Sequence, residues 1–440
     1  MPCAGGLGSL LSGLPKLTLN RVPQDTTRRQ ACDLNDPSRE RSGVTQPDQA
    51  VPSGADSPEE LHNDIIYPLA VPFILVHLAA FGVLWTGISP FWAAACVGLY
   101  VVRMWALTAG FHRYFSHRSY KTSRVFQFVL AFLGQMSAQR GVIWWAAIHR
   151  HHHAHSDTPE DVHSPVHAGF WFSHVGWIFH RSKSEADFSK VPDLTRFPEL
   201  VWLDRYHLVP AILLAVTTFV VGGWEGLFVG FFLSTVILYH CTFLINSLAH
   251  VVGRKRYVTG DESRNNWWLA IVTLGEGWHN NHHHYQSSTR QGFFWWEVDV
   301  SYYVLKALSW AGLVWDLRAP PPHIVSGEAP VGRKALERVA HELANSFPVE
   351  RISRQIHDAW SHKPTLEELR GSMTRHRQEL VDLLAQLRLP EIPSVEEIRR
   401  RAEEMLPDPS FAEGIAERAR AIILERVSLF LLEGNDPLPA

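Results

Sequence analysis

Three short stretches concentrate histidine at spacings that can gather metal ligands: His112-Arg113-Tyr114-Phe115-Ser116-His117, His149-Arg150-His151-His152-His153 and His279-Asn280-Asn281-His282-His283. In the second and third, histidines at i, i+3 and i+4 share one face of an α-helix, so several imidazoles aim at one point. In the first, the i to i+5 spacing suits ligands near a helix end, where the chain begins to unwind. Imidazole binds iron, zinc, copper and nickel alike, so residue type alone leaves the metal open. Number narrows it. A structural zinc is saturated by four ligands, whereas these boxes supply eight: His112, His117, His149, His152, His153, His279, His282 and His283. Eight neutral nitrogen ligands suit two metals sharing a site with positions left for O2. Attack on an unactivated C–H bond then makes iron the natural choice. A single box could be an incidental surface face; three boxes, each just beyond an apolar or aromatic stretch, are a constellation. His151 lies off the 149/152/153 face, and His155, His167, His180 and His284 are expected as solvated or outer neighbours.

The elements that must position these boxes are apolar. Runs from Ile65 to about Trp85 and from Phe91 to about Ala109 each approach the ~20 residues that cross a bilayer, and only Thr86-Gly87-Ile88-Ser89-Pro90 separates them. A second pair, Leu208 to Val221 and Leu227 to Leu248, is joined by Gly222-Gly223-Trp224-Glu225-Gly226, with Arg205 and Tyr206 as interfacial anchors. Four spans in two hairpins follow. A large soluble helical core is the alternative, and the length of the runs and their near absence of charge speak against it. The one charge in the first pair, Arg103, is expected to snorkel or to face the bundle interior. Lys and Arg crowd residues 110–207 and the region after His250, while both inter-helix turns lack them. The positive-inside rule then puts both termini and every histidine box on the cytoplasmic face of a multi-pass membrane protein. Val125 to Ala138 and Phe293 to Val314 are expected to lie against the membrane or the core as interfacial or amphipathic helices.

The fold class expected is therefore all-α: four transmembrane helices, a cytosolic histidine-rich helical cap holding a di-iron site, and a helical C-terminal extension. Residues 1–60 read as a flexible tail, 61–318 as the membrane domain, 319–332 as a Pro-rich hinge and 333–440 as the extension. Leu380, Leu383, Leu384 and Leu387 at helical spacing are expected in the extension's core. A cleaved targeting sequence is disfavoured because the first residues lack positive charge. Among 440 residues there are 25 His, 23 Phe and 17 Trp, and the formal charge of −3 gives no electrostatic case for a nucleic-acid partner. The mean hydropathy of −0.07 averages polar ends with an apolar middle. Cys3 and Cys32 lie in the tail, and Cys96 and Cys241 in apolar runs, so no disulfide framework or CxxC pair is visible.

The stretches Thr108-Ala109-Gly110-Phe111-His112 to His117, Phe172-Ser173-His174-Val175-Gly176-Trp177 and Gly275-Glu276-Gly277-Trp278-His279 resemble the membrane fatty-acyl desaturases, specifically the stearoyl-CoA-desaturase-like branch. The resemblance covers about Ile66 to Leu317. Asn246-Ser247-Leu248-Ala249-His250 is similar to that family's N-S-x-x-H motif, which implies His250 as a ninth iron ligand and Asn246 as holding a metal-bound water. Departures are His151, Asn281, the additional His284, and Val162 within Asp157 to His163; none removes a ligand. The tail after Pro322 has no counterpart in the resemblance.

The resemblance implies an oxidoreductase with two iron ions and O2 as co-substrate. It would insert a cis double bond between carbons nine and ten of a long saturated acyl chain in the bilayer; an acyl thioester, acyl-CoA, is favoured as the carrier, with a carrier protein or a glycerolipid left open. Neighbouring methylenes are chemically alike, so geometry must select the pair, and a bent apolar tunnel is implied. Cys96 and Tyr100, one turn apart below the first box, are candidates for its closed end, with ordinary helix packing as the alternative. No haem, flavin or iron–sulfur motif is recognisable, so electrons are expected from a separate donor such as a ferredoxin or b-type cytochrome with its reductase. Surface Arg and Lys could guide that donor or meet coenzyme A phosphates. A histidine-box hydroxylase or ketolase, and a non-catalytic membrane metal-binding module, are the competing readings.

Overall fold

The computed structural model describes residues 67–328, 330–361 and 392–433. The tail 1–60 with Cys3 and Cys32, the first two residues of the first apolar run and the leucine stripe Leu380 to Leu387 lie outside the described residues.

Helix α1, Tyr67–Ala80, leads through a helical turn at Val83–Thr86 to α2, Pro90–Trp105. Ser89 starts α2: its hydroxyl accepts from the Trp92 amide at 3.3 Å, and Pro90 occupies the first helical position. Without a break α2 becomes a π-helix, Ala106–Ser116. Two helices of the cap follow. In α3, Arg124–Gln135, Leu130, Ala131 and Gly134 are buried, so this apolar segment packs on the core. In α4, Val142–His155, the first residues lack a local cap, and Asp204 supplies one: its Oδ1 accepts from the amides of Ile143 (2.8 Å) and Trp144 (3.1 Å).

The second hairpin is α5, Val209–Glu225, a π-helix, Gly226–Leu233, and α6, Ser234–Ser247. The helical stretch Val209–His250 has 42 residues. Straight, it would be roughly 63 Å long, twice a bilayer core. It reverses instead. Gly223 takes φ 57°, ψ −143°, and a Cβ on Gly230 would lie 3.3 Å from Thr218 Cγ2, a contact between residues twelve apart that only a fold-back permits. Trp92 of α2 lies flat on this turn, where a Cβ at Gly222 would meet its ring at 2.0 Å. The Ser89 amide donates to Glu225 Oε1 at 2.5 Å, so both hairpin turns sit at one end of the bundle.

Among the described residues, Pro90–Ser116 and Val209–His250 are long and apolar enough to cross a membrane, while Ala70–Thr86 is shorter. Leu78, Phe81, Leu84, Phe91, Val97 and Val220 are exposed on these helices, a larger apolar surface than water favours. Arg103 turns inward, with its guanidinium donating to Thr235 Oγ1 (2.7 Å) and Ser234 Oγ (2.5 Å) of α6.

The third box forms α7, His279–His284, and the aromatic-rich segment after it forms α8, Val300–Trp310, which buries Ser301 and Leu305. One departure from an all-helical chain is a pair of two-residue antiparallel strands, β1 (Lys121–Thr122) and β2 (Val314–Trp315). Among its described residues the C-terminal extension has α9 (Arg333–Asn345), α10 (Val349–Ser361), α11 (Val395–Met405) and α12 (Ala412–Glu433). It has a core of its own, including Leu343, Phe347, Ile398, Ile415 and Ile423.

Candidate metal centre

The first box lies on the π-helix. The His117 amide bonds to the His112 carbonyl at 3.1 Å, closing the i to i+5 turn that defines this helix, so residues five apart stack one turn apart. A spacing expected from a fraying helix end is instead a widened turn.

The nine histidines singled out in the sequence gather into two buried or partly buried groups. One contains His112, His117, His149, His153 and His282; the other contains His152, His250, His279 and His283; within each, the facing nitrogens all lie within 4.8 Å of one another. In the first group the Nε2 atoms form a chain, with His112 to His282, His282 to His153 and His153 to His149 each at 3.0 Å, and His149 to His117 at 2.9 Å. In the second, His250 and His279 Nε2 are 3.0 Å apart. Two nitrogens at right angles around one ion at ~2.1 Å would be ~3.0 Å apart, whereas tetrahedral ligands would be ~3.4 Å apart. Mutual hydrogen bonds do not explain the chain. Each Nε2 offers a single in-plane lobe, yet His149 faces both His117 and His153, and His282 faces both His112 and His153. His283 Nε2 is buried without a hydrogen-bond partner. The donor set therefore fits two neighbouring ions with more than four positions each.

His112 Nδ1 lies 2.5 Å from Glu276 Oε2. At three other imidazoles a carboxylate fixes the tautomer: Nδ1 of His250 donates to Asp157 (2.7 Å), of His283 to Asp261 (2.7 Å) and of His152 to Asp161 (2.9 Å). Each bond holds the proton on Nδ1 and turns the Nε2 lone pair toward the centre. Asp161 with His152 and His163 forms a third compact group, but Asp161 is occupied by His152 Nδ1, so this is outer support for the second group. Glu276 is anchored in turn by Arg113, which also binds Asp299 at 2.9 Å; all three side chains are buried.

Electrostatics follow this layout. Burial, reinforced by neighbouring imidazoles, holds His117, His149, His153, His279 and His282 well below the ordinary imidazole value, so they are neutral near pH 7, the form that can bind a metal. Burial pushes His250 the same way, but the Asp157 carboxylate overrides it and raises this imidazole to about 9. Burial likewise opposes ionisation of Glu276, yet His112 and Arg113 keep it below the usual carboxylate range.

A cavity of about 370 Å³ reaches the centre at His149 and has Phe73, Trp145, Ile148, Phe243 and Asn246 among its walls. It is within the size range of ligand pockets and largely apolar. Asn246 sits four residues before His250, as the motif spacing requires. Cys96 and Tyr100 are not among the cavity's walls: Cys96 packs with Trp92 and Val229, and the Tyr100 hydroxyl donates to the Val272 carbonyl. His151 bonds the Glu160 carbonyl at the surface, His155 stacks on His151, His167 meets the Asp157 carbonyl and His284 stacks on Tyr257. His180 is buried beside Phe172. His174 turns away from the centre, toward His240 (3.0 Å) and Ser247 (3.1 Å).

The carboxylates that meet the clustered histidines were missed in the sequence. Asp157 and Asp161 lie four and eight residues past the second box, and Glu276 three before the third, a recurrence of acid beside histidine that could have flagged them. Asp261 carries no such signal.

A family model for fatty acid desaturases matches residues 88–315. A sn-2 palmitoyl-lipid 9-desaturase of Nostoc sp. (strain 36) is 36% identical over 245 residues, 53% of this chain and 86% of that protein. A sn-1 stearoyl-lipid 9-desaturase of Anabaena variabilis is 38% identical over 252 residues, 56% of this chain and 91% of that protein. An acyl-CoA C20 Delta5-desaturase of Anemone leveillei is 35% identical over 234 residues, 52% of this chain and 74% of that protein.

Proposed function

The chain belongs to the membrane fatty-acyl desaturase family, and from that premise we propose that it is a four-span, di-iron enzyme inserting a cis double bond between carbons nine and ten of a long saturated acyl chain. Membership makes it an oxidoreductase acting on fatty acyl chains. The position of the double bond, the carrier and the topology are the proposal. The observation that carries it is an apolar cavity ending on His149, a member of the five-histidine group.

His112, His117, His149, His153 and His282 would hold one iron, and His152, His250, His279 and His283 the other, with Asn246 bearing a water. Two iron ions, when bound, supply the O2 chemistry by which two adjacent methylenes lose two hydrogens; with two electrons and two protons, O2 leaves as two waters. The residues do the positioning. Phe73, Trp145, Ile148 and Phe243 exclude water and restrict the chain, so that one pair of methylenes rests beside the centre. Asp157, Asp161 and Asp261 keep the ligating nitrogens aimed. Tyr100, half-buried in α2 below the first box, stays the candidate for the closed end of the acyl site, although it is not a wall of this cavity.

Both hairpin turns lie at one end of the bundle, and the charged segments lie at the other, which supports a cytoplasmic placement of the termini and the metal site. Electrons come from a separate ferredoxin or b-type cytochrome with its reductase. The relatives act on lipid-linked and CoA-linked chains, and we take acyl-CoA as the carrier to be tested first. Expression in a desaturase-deficient host, with mass spectrometric location of any new double bond, tests the whole reading. A Δ9 alkene that disappears in His279→Ala supports it. A hydroxylated chain would make the protein a hydroxylase, and two bound irons with no altered chain would make it a metal-binding module. Supplying purified protein and donor with stearoyl-CoA or stearoyl-phospholipid separates the carriers.

A further inference from the structure

Helix α9 of the C-terminal extension lies beyond the residues matched by the family, yet it touches the supports of the metal centre at two points. The first is the end of α4. This helix finishes at His155 without a backbone cap, leaving carbonyls that no further turn of helix satisfies. Arg338 supplies the partner: its guanidinium donates to the Ser156 carbonyl at 2.6 Å and the Ala154 carbonyl at 3.4 Å, where a cation also suits the helix dipole. The next residue, Asp157, takes φ 55°. From that conformation its carboxylate receives His250 Nδ1, and its amide donates to Asp161 at 2.8 Å, which holds His152.

The second point is one helical turn away, at Ala335. Gly260 has φ +77°, and a Cβ there would come within 2.7 Å of Ala335 Cα, so helix and loop meet backbone to backbone. The neighbour of Gly260 is Asp261, which holds His283. The two loops are joined to each other, because the Glu262 amide donates to Asp157 Oδ2 at 2.8 Å. One face of α9 therefore bears on the segments carrying all three aspartates, and these hold three of the four histidines in the second group. The five-histidine group is supported elsewhere, through Glu276, Arg113 and Asp299.

We infer that α9 is a brace for the four-histidine site alone, with Arg338 and Ala335 as positioning residues that keep its ion from escaping. This rests on the di-iron reading above. Losing a direct carboxylate partner costs roughly 10–100-fold in metal affinity, so an indirect brace is expected to act at the low end, about tenfold.

The test uses the iron-loaded full chain in detergent, with bound iron per chain followed during exposure to excess chelator. Arg338→Ala should release one of its two irons about tenfold faster than the unmodified chain and the other at the unmodified rate. Arg338→Lys, which keeps a donor cation, should restore most of the retention. Ala335→Leu, which pushes α9 off Gly260 without altering the catalytic region, should reproduce the selective loss. Both irons leaving at unmodified rates in Arg338→Ala and Ala335→Leu overturns the inference, as does simultaneous loss of both in the two variants. An unmodified chain that holds two irons but makes no alkene sinks the desaturase reading and leaves the brace standing.

Discussion

Asp261→Asn isolates the tautomer control at the second group. Asp261 Oδ1 already accepts from Thr259 Oγ1 (2.7 Å), the Ser263 amide (3.1 Å) and Ser263 Oγ (2.6 Å), while Oδ2 receives His283 Nδ1 at 2.7 Å. In the variant, the three donors keep the amide oxygen on their side, and the NH2 group turns toward His283. Two donors then face each other. To escape, the imidazole must move its proton from Nδ1 to Nε2, the nitrogen that faces the metal position. Forcing the other tautomer, or leaving a buried donor unsatisfied, costs about 1–3 kcal/mol. At about 1.4 kcal/mol per tenfold, that is about 5- to 150-fold in affinity. Competition of the iron-loaded chain against a graded chelator should show one of two irons weakened by that factor, with the other unchanged. Retention of both irons at unmodified affinity would refute the assignment of Asp261 as the group that sets the His283 tautomer.

Arg113→Met leaves Glu276 and Asp299 buried without their cation, which should lower stability by about 3–5 kcal/mol in thermal or denaturant unfolding; a loss below about 1 kcal/mol would contradict the buried network. The metal-free chain should have its greatest stability near neutrality. Burial depresses His117, His149, His153, His279 and His282, so below the unfolded value of about 6.5 the unfolded chain binds protons that the native one refuses, and stability falls with pH. His250, raised to about 9, acts oppositely: its stabilisation is fully present below about 6.5 and is lost as pH rises through about 9. A melting temperature that stays flat from pH 7 to 5 would contradict the acid limb. Tyr100→Ala should extend the acyl lengths accepted, read from product chain lengths; an unchanged distribution would return Tyr100 to ordinary packing.

Which histidines gather was legible in the sequence because imidazole clusters at helical spacing are rare and chemically specific, and the paired apolar runs followed from length and lack of charge. The reversal at Gly222-Gly223 was legible for the same reason, since Gly supplies the positive φ that the turn uses. The interior position of Arg103 was one of two expectations, and the hydroxyls of Ser234 and Thr235, far away in sequence, decided it.

What only the tertiary structure decided is how the histidines divide. At about 100° per residue, His153 lies about 40° from His149 on one side of α4, and His152 about 60° on the other. The sequence therefore places all three on one broad face, with no statement about what stands opposite. A helix wedged between two sites sends the i, i+4 pair to one and the i+3 residue to the other: His149 and His153 join the five-histidine group while His152 crosses to the second. The same angles divide the third box in the reverse sense, His279 and His283 to the second group and His282 to the first. Spacing fixes directions around one helix axis, but an ion is shared between helices, and only their packing brings those directions to a common point.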